Sequence, residues 1–90
     1  MSNEEAVDPD DAMRTVRVRR DKLLRFEGEH DEGDWVTWYV AYRGRYGWVA
    51  CRVNGSHTSH PDEDDVLHSF DVYDDAAVLD RAEIPDEVIL

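Results

Sequence analysis

The fold is decided by two stretches of sequence, residues 35–42 (WVTWYVAY) and residues 46–53 (YGWVACRV). Both stretches are rich in aromatic and β-branched residues, which favour β-strands. Gly44 lies between them, and Asn54-Gly55 follows the second stretch, so a turn is expected at each place. The sequence therefore predicts an antiparallel hairpin.

The turn sets which side chains share a face of this hairpin. A two-residue turn at residues 44–45 puts glycine where a type II′ turn favours it, and pairs Val40 with Val49 and Trp38 with Cys51. A four-residue turn leaves the same residues on each face and stays open, whereas a one-residue slip mixes the two faces and is disfavoured. The first face is then apolar, with Val36, Trp38, Val40, Tyr42, Val49, Cys51 and Val53.

The second face of the predicted hairpin is too apolar for a face that lies bare in water. We expect a helix, a second subunit or a ligand to cover it. Its candidate binding residues, for a protein interface or for nucleic acid, are Trp35, Tyr39, Arg43, Tyr46, Trp48 and Arg52.

On the N-terminal side of the hairpin, residues 1–12 are acidic and lack apolar periodicity, so they predict a disordered tail in front of a single small domain over 13–90. Residues 14–26 predict one or two strands, with a short helix over 20–27 as the alternative. Residues 27–34 predict a polar loop.

On the C-terminal side, residues 54–65 predict a long acidic loop, residues 66–73 a strand and residues 75–83 a short helix that ends before Pro85. The apolar end, residues 88–90, is expected to be tucked in. These elements predict an α+β fold, a small antiparallel sheet of about four to five strands with one short C-terminal helix, and a small open barrel is the other possibility.

The composition indicates a solvent and a compartment. The 90 residues include 22 acidic and 10 basic side chains, a net charge of −12, and Lys22 is the single lysine. This composition resembles that of cytosolic proteins of extreme halophiles. Such an acidic surface is tolerated in their cytoplasm because molar salt screens the repulsion between its charges. The one cysteine, Cys51, suits a reducing cytoplasm. No apolar run predicts a membrane-spanning helix, and no signal-peptide pattern is present.

The charge is unevenly distributed along the chain. Residues 1–13 carry −5 and residues 53–90 carry −10, whereas residues 14–52 carry +3. A mildly basic middle therefore lies between two acidic ends. The simplest interpretation is that the acidic C-terminal part packs near the basic middle.

No cofactor, metal or catalytic site is expected. Cys51 with His57, His60 and His68 has the donor atoms of a zinc site but not the paired ligand spacing. Cys51 and His68 lie on the apolar sides of their predicted strands, so both are expected in the core. The sequence contains no nucleophile elbow, phosphate-binding glycine loop or dinucleotide-binding motif, and it predicts a protein that is not an enzyme.

The aromatic and arginine residues of the second face predict the function. Trp, Tyr and Arg are enriched at interface hot spots, and high salt strengthens apolar association. We therefore expect a non-enzymatic protein-interaction or assembly module that forms a homodimer through this face. The alternative is a protein that binds single-stranded RNA or DNA by stacking bases on the same face, although molar salt weakens its phosphate contacts.

Overall fold

The computed structural model shows a five-stranded antiparallel sheet with two helices packed on one face, and it describes residues 8–30, 33–73 and 75–88. The elements in chain order are α1 (Pro9–Val18), β1 (Lys22–His30), β2 (Asp34–Tyr42), β3 (Trp48–Cys51), β4 (His57–His60), α2 (Glu63–Ser69) and β5 (Asp75–Asp80). Short 3-10 turns cover Gly44–Tyr46 and Arg81–Glu83. The strand order is β4-β3-β2-β1-β5. The predicted α+β class with a small antiparallel sheet is confirmed.

The predicted positions of the helices are wrong. The helix expected over 75–83 is β5 followed by a 3-10 turn, and the first half of the strand expected over 66–73 lies in α2. The predicted loops at 27–34 and 54–65 are shorter than expected, because β1 continues to His30, β2 begins at Asp34, and β4 lies inside the second loop.

A side-chain cap begins α2. The carboxylate of Asp62 accepts a hydrogen bond from the backbone N–H of Asp65 at 2.9 Å, which satisfies one of the free donors of the first turn. Val66 and Phe70 are one turn apart and both are buried. The same residues also fit the alternation of a strand, so periodicity alone does not separate the two structures. His68 is exposed on this helix, and the prediction of a core histidine there is wrong.

Pairing with β1 makes residues 75–80 a strand in spite of their helical composition. Ala76 lies opposite Phe26 and Val78 lies opposite Leu24 on the helix-covered face. The alternate residues Ala77 and Leu79 face the other side of the sheet. Because both sides of β5 carry apolar residues, its pattern is not the simple alternation of a half-exposed strand.

The helix α1 replaces the strand predicted from residue 14. Pro9 lies in the first turn, where its missing N–H costs nothing, and two aspartates there suit the positive end of the helix dipole. Ala12, Met13 and Val16 are buried. Residues 9–12 therefore belong to the folded domain and not to a disordered tail, while residues 1–7 lie outside the described residues. From Lys22 onward the predicted strand is confirmed over the helical alternative.

The hairpin of β2 and β3 has the register that the sequence disfavours. Tyr42 pairs with Trp48 and Tyr39 pairs with Cys51, one residue away from the predicted register. The cause is the loop, which contains five residues, 43–47, and is closed by a 2.7 Å hydrogen bond from the backbone N–H of Arg43 to the carbonyl of Gly47. An odd number of loop residues reverses which side chains of β3 face the helices.

Gly47 is required in this loop. Its φ is +82°, and a side chain there would place Cβ 2.3 Å from the backbone oxygen of His60. Only glycine allows the loop to approach the end of β4 so closely.

The core lies between the helices and one face of the sheet. Phe70 of α2 stacks on Phe26 with ring centroids 5.1 Å apart and meets Trp38 edge-on at 5.7 Å. The buried members of this core are Ala12, Met13, Val16, Leu24, Phe26, Val40, Trp48, Ala50, Val66, Phe70 and Ala76.

The opposite face of the sheet is partly buried as well. Leu23 and Ala41 point away from the helices, yet both are fully buried. The C-terminal segment, residues 84–88, lies on this side, because Glu87 lines a cleft together with Cys51 and His57. Val88 is buried, which confirms the tucked-in end at this residue, while Ile89 and Leu90 lie outside the described residues.

Candidate functional site

The register of the hairpin divides the six predicted binding residues. Trp48 faces the helices, is 2% exposed, and packs on Tyr42 with ring centroids 4.9 Å apart. Its predicted place on an open face is wrong. The remaining five residues are Trp35, Tyr39, Arg43, Tyr46 and Arg52, and they lie along β2 and around the two ends of β3.

One group of these residues forms an exposed apolar surface that we call the tryptophan patch, composed of Trp35, Arg52 and Val53. Trp35, at the start of β2, is 62% exposed, and Val53 is 49% exposed. They line a shallow cleft with Arg52, of about 340 Å³. The guanidinium of Arg52 lies 5.7 Å from the centre of the Trp38 ring, which packs against the helix-side core, so the charged end of Arg52 is on the opposite face of the sheet from Trp35.

A second group lies at the other end of β2. Tyr46, in the loop between β2 and β3, is 74% exposed. The guanidinium of Arg45 lies over the Tyr46 ring at 5.3 Å and donates a hydrogen bond of 3.3 Å to its hydroxyl. Tyr39, in the middle of β2, is half-buried between the two groups.

A cleft with two lobes connects the second group to β3 and β4, and we call it the arginine cleft. Its larger lobe, of about 510 Å³, is lined by Arg43, Cys51, Arg52, Gly55, Ser56, His57 and Glu87. Its smaller lobe, of about 220 Å³, is lined by Arg43, Tyr46, Trp48, Val49, His57 and Ser59. Arg43 and His57 belong to both lobes, so the lobes adjoin.

Half of the ten basic residues are ion-paired in the described structure, and the arginines of this region are among those that are not, together with Arg20 and Arg81, which donate to backbone carbonyls. Five basic residues elsewhere form ion pairs with carboxylates, and these are Arg14, Arg17, Arg19, Lys22 and Arg25. Arg43, Arg45 and Arg52 form no ion pair with any carboxylate in residues 8–30, 33–73 or 75–88. Arg43 lines both lobes of the cleft and Arg52 lines the larger one, whereas Arg45 lies over Tyr46 and lines neither.

Cys51 lies in the wall of the larger lobe and is buried, which confirms its predicted burial. Burial raises the pKa of the Cys51 thiol, and the nearby charge of Arg43 opposes this effect more weakly. The thiol is therefore protonated at neutral pH, the form that is a poor nucleophile.

His60 is the buried histidine of the described chain, and the sequence analysis missed it. Its Nε2 lies 2.8 Å from the hydroxyl of Thr58, and its Nδ1 lies 2.7 Å from a carboxylate oxygen of Asp65. This is the connectivity of a catalytic triad. However, the ring is 7% exposed and packs edge-on against Phe70 at 5.3 Å, so we assign it the structural role of joining β4 to α2. Thr58 and His60 are two residues apart, so their side chains share a face only in a strand. The sequence predicted a loop at this position, and the pairing of the two side chains was therefore not expected.

The side chains of the considered zinc set lie apart. His57 is paired with Cys51 across β3 and β4, His60 is on the opposite face, and His68 is exposed on α2. Within the described parts of the chain, no three His, Cys, Asp or Glu side chains converge as a metal site would require.

Comparisons of the chain with models of known protein families, with curated proteins and with solved structures found no match. None of the helices in the described ranges has the length and apolar character needed to cross a membrane. What the protein binds must therefore be inferred from the geometry and charge of its surface.

Proposed function

We propose that the protein is a non-enzymatic interaction module that associates with a second copy of itself through the tryptophan patch. The observation that carries this proposal is the exposure of Trp35, which is 62% exposed on a regular strand and lies beside Val53, 49% exposed. Trp and Arg are the residues that most often dominate the energy of protein interfaces, and Arg52 completes the patch.

The C-terminal segment supports this choice of surface. Glu87 places it over the part of the face that contains Cys51 and His57. Trp35 lies four residues before Tyr39, the partner of Cys51, which is roughly 13 Å along a strand. The patch is thus an apolar surface beside the part of the face that the C-terminal segment covers.

A second copy is the partner that suits the charge of the chain. Two chains of −12 repel each other in dilute buffer, but the Debye length is only about 3 Å at 1 M salt. Salts that are excluded from apolar surfaces also strengthen apolar association. An isologous dimer would place the same patch of each copy in the centre of the interface.

Light scattering tests the proposal. In about 2 M KCl, the chain should have twice its 10.5 kDa mass at micromolar concentration, and Trp35→Ala should convert it to a monomer. Val53→Ala should weaken the dimer. The matched control is Val72→Ala, because Val72 is 51% exposed but lies outside the patch.

A monomeric wild-type chain under these conditions would disprove the proposal. So would a dimer that Trp35→Ala and Val72→Ala leave equally intact. A circular dichroism spectrum of each variant separates lost association from lost folding.

A further inference from the structure

We propose that one end of the sheet binds a single-stranded nucleic acid through three exposed arginines, Arg20, Arg45 and Arg81, which we call the arginine row. Arg20 precedes β1, Arg45 lies in the turn that follows β2, and Arg81 begins the turn that follows β5. Because β2, β1 and β5 are adjacent and antiparallel, the three arginines lie at the same end of the sheet.

Contacts fix where the three charged groups lie. The guanidinium of Arg20 lies 4.9 Å from the centre of the Tyr42 ring and donates a 3.4 Å hydrogen bond to the carbonyl of Tyr42. The Nε of Arg81 donates to the carbonyl of Arg20 at 3.3 Å. The guanidinium of Arg45 lies 5.3 Å from the centre of the Tyr46 ring, in the turn that the Arg20 guanidinium also approaches. The row is therefore a continuous surface whose side chains are held in place.

No described carboxylate compensates the charge of the row. Its partners are carbonyls and aromatic rings, which hold the guanidinium groups but have no net charge. Asp21 and Asp80 adjoin the row in the sequence but pair with Arg19 and Lys22. Glu83, in the turn that follows β5, forms no ion pair with the row within the described residues. In a chain of net charge −12, a cationic surface without carboxylate partners indicates an anionic ligand from outside the chain.

The arrangement favours a linear polyanion over a small anion. Adjacent strands are about 4.8 Å apart, so a row across the ends of three strands spans roughly 10 Å, more than one phosphate group occupies. Guanidinium groups present planar pairs of donors that match phosphate oxygens.

Tyr46 favours a nucleic acid over an acidic peptide as this polyanion. Tyr46 is 74% exposed at the β2 side of the row, and exposed aromatic rings are typical platforms for unpaired bases. An acidic peptide supplies the charges but not the bases, and a duplex keeps its bases stacked inside. The ligand that uses both the row and Tyr46 is therefore a single strand.

A group of carboxylates gives the bound ligand a direction. Residues 62–65, which are all acidic, follow β4 at the same end of the sheet, and β3 lies between β4 and β2. Carboxylates repel phosphates. The nucleic acid should therefore extend from Tyr46 toward Arg81 and away from this acidic turn.

The row is separate from the tryptophan patch. Trp35 and Tyr42 lie near opposite ends of β2, seven residues or roughly 23 Å apart along the strand. The inference therefore does not rest on the proposed dimer, and Trp35→Ala should leave nucleic-acid binding unchanged.

The experiment is a fluorescence anisotropy titration of the full chain into a fluorescein-labelled single strand of about 12 nucleotides, in about 0.3 M KCl. RNA and DNA strands of one sequence are compared, and the tighter complex identifies the source of the ligand. The duplex of that sequence should bind several fold more weakly. Three phosphate contacts give a slope of about −2 for log affinity against log salt, so tenfold more salt should weaken binding by about a hundredfold.

Charge-matched variants separate the row from the overall charge. Arg20→Gln, Arg45→Gln and Arg81→Gln should each weaken binding by about tenfold, as loss of a charge-assisted contact does. Arg14→Gln makes the same change of charge on α1 and should have little effect. Tyr46→Ala should also weaken binding by about tenfold, whereas Tyr46→Phe keeps the ring and should not. Arg45 is in an exposed turn, so Arg45→Gln remains a test if another variant does not fold.

Glu83→Gln should strengthen binding by a few fold, because it removes a carboxylate from the turn that contains Arg81. Glu29→Gln makes the same change at the other end of β1, also at an exposed residue, and should not. The proposal is overturned if neither the RNA nor the DNA strand binds, or if Arg14→Gln weakens binding as much as the variants of the row. It is also overturned if polyglutamate displaces the labelled strand as well as the unlabelled strand does.

Discussion

Trp35 and Trp48 show how strongly the environment of one residue type differs within this hairpin. Trp48 is 2% exposed and packs on Tyr42 beneath the helices, whereas Trp35 is 62% exposed. Loss of a buried large side chain removes its transfer free energy and also leaves a cavity. Substitution of Trp48 should therefore reduce the stability of the fold, whereas substitution of Trp35 should affect association and leave stability nearly unchanged.

Trp48→Ala should reduce the free energy of unfolding by about 3–5 kcal/mol, because Trp48 fills the core. Trp35→Ala should change it by about 0.5 kcal/mol or less at concentrations where the chain is monomeric. Urea unfolding followed by circular dichroism measures both. Equal losses for the two variants would contradict the observed register of β2 and β3.

At the scale of elements, the sheet is covered on both faces by different means. The helices α1 and α2 cover one face, and the C-terminal segment lies over part of the other. Cys51 lies on that second face, opposite Tyr39, and is 4% exposed. The burial of its thiol therefore reports whether the segment stays in place.

Val88→Ala should increase the rate at which a disulfide reagent modifies Cys51 by several fold, since Val88 is a buried residue of the covering segment. Val72→Ala, at an exposed position, is the control and should leave the rate unchanged. A measurement of the modification rate near neutral pH compares them. Equal rates for Val88→Ala and the wild type would indicate that the segment does not protect the thiol.

The pH dependence of the same reaction has a definite sign. Burial raises the pKa of the Cys51 thiol, so the folded chain contains less thiolate than the unfolded chain at mildly alkaline pH. The rate should therefore increase as the pH rises toward this raised pKa. The thiol of the unfolded chain loses its proton at a lower pH than the thiol of the folded chain. The contribution of Cys51 to the free energy of unfolding therefore decreases as the pH rises from the unfolded-state pKa to the folded-state pKa.

At the scale of the whole molecule, the −12 charge acts against the compact state. Two like charges 10 Å apart in water repel by roughly 0.4 kcal/mol without salt, and molar salt removes most of this. Some carboxylates are compensated, as in the contact of Lys22 with Asp80, but Asp71 and Asp86 are exposed and form no ion pair with a described residue.

Stability should accordingly increase with KCl concentration, and a double variant, Asp71→Asn with Asp86→Asn, should reduce this dependence by stabilising the chain in dilute buffer. Asp80→Asn removes the same kind of charge but also the partner of Lys22, so it should stabilise less or not at all. Thermal unfolding in a series of KCl concentrations gives, for the wild type and the two variants, the slope of Tm against salt concentration. Identical slopes for the wild type and the double variant would show that self-repulsion does not limit stability.

The hairpin strands, the strand from Lys22 and the antiparallel sheet follow from local sequence, whereas Cys51 is buried on the face opposite to the one that the predicted register gave it. Aromatic and β-branched residues restrict the backbone wherever they occur in the fold, so their propensity is informative without tertiary context. Tyr46 was predicted at the start of the second strand but lies in the turn Gly44–Tyr46, and Arg52, predicted on the same strand, follows the end of β3.

The register of the hairpin and the identities of α2 and β5 were decided by the tertiary structure. A five-residue loop reversed the faces of β3, which buried Trp48 and put Cys51 in the wall of the arginine cleft. The cap at Asp62 and the pairing of β5 with β1 decided between helix and strand for residues that fit both periodicities. Local sequence determined which segments are apolar. Contacts between segments distant in the chain determined which side of each one is buried, because a periodicity fixes the spacing of apolar residues but not the surface they meet.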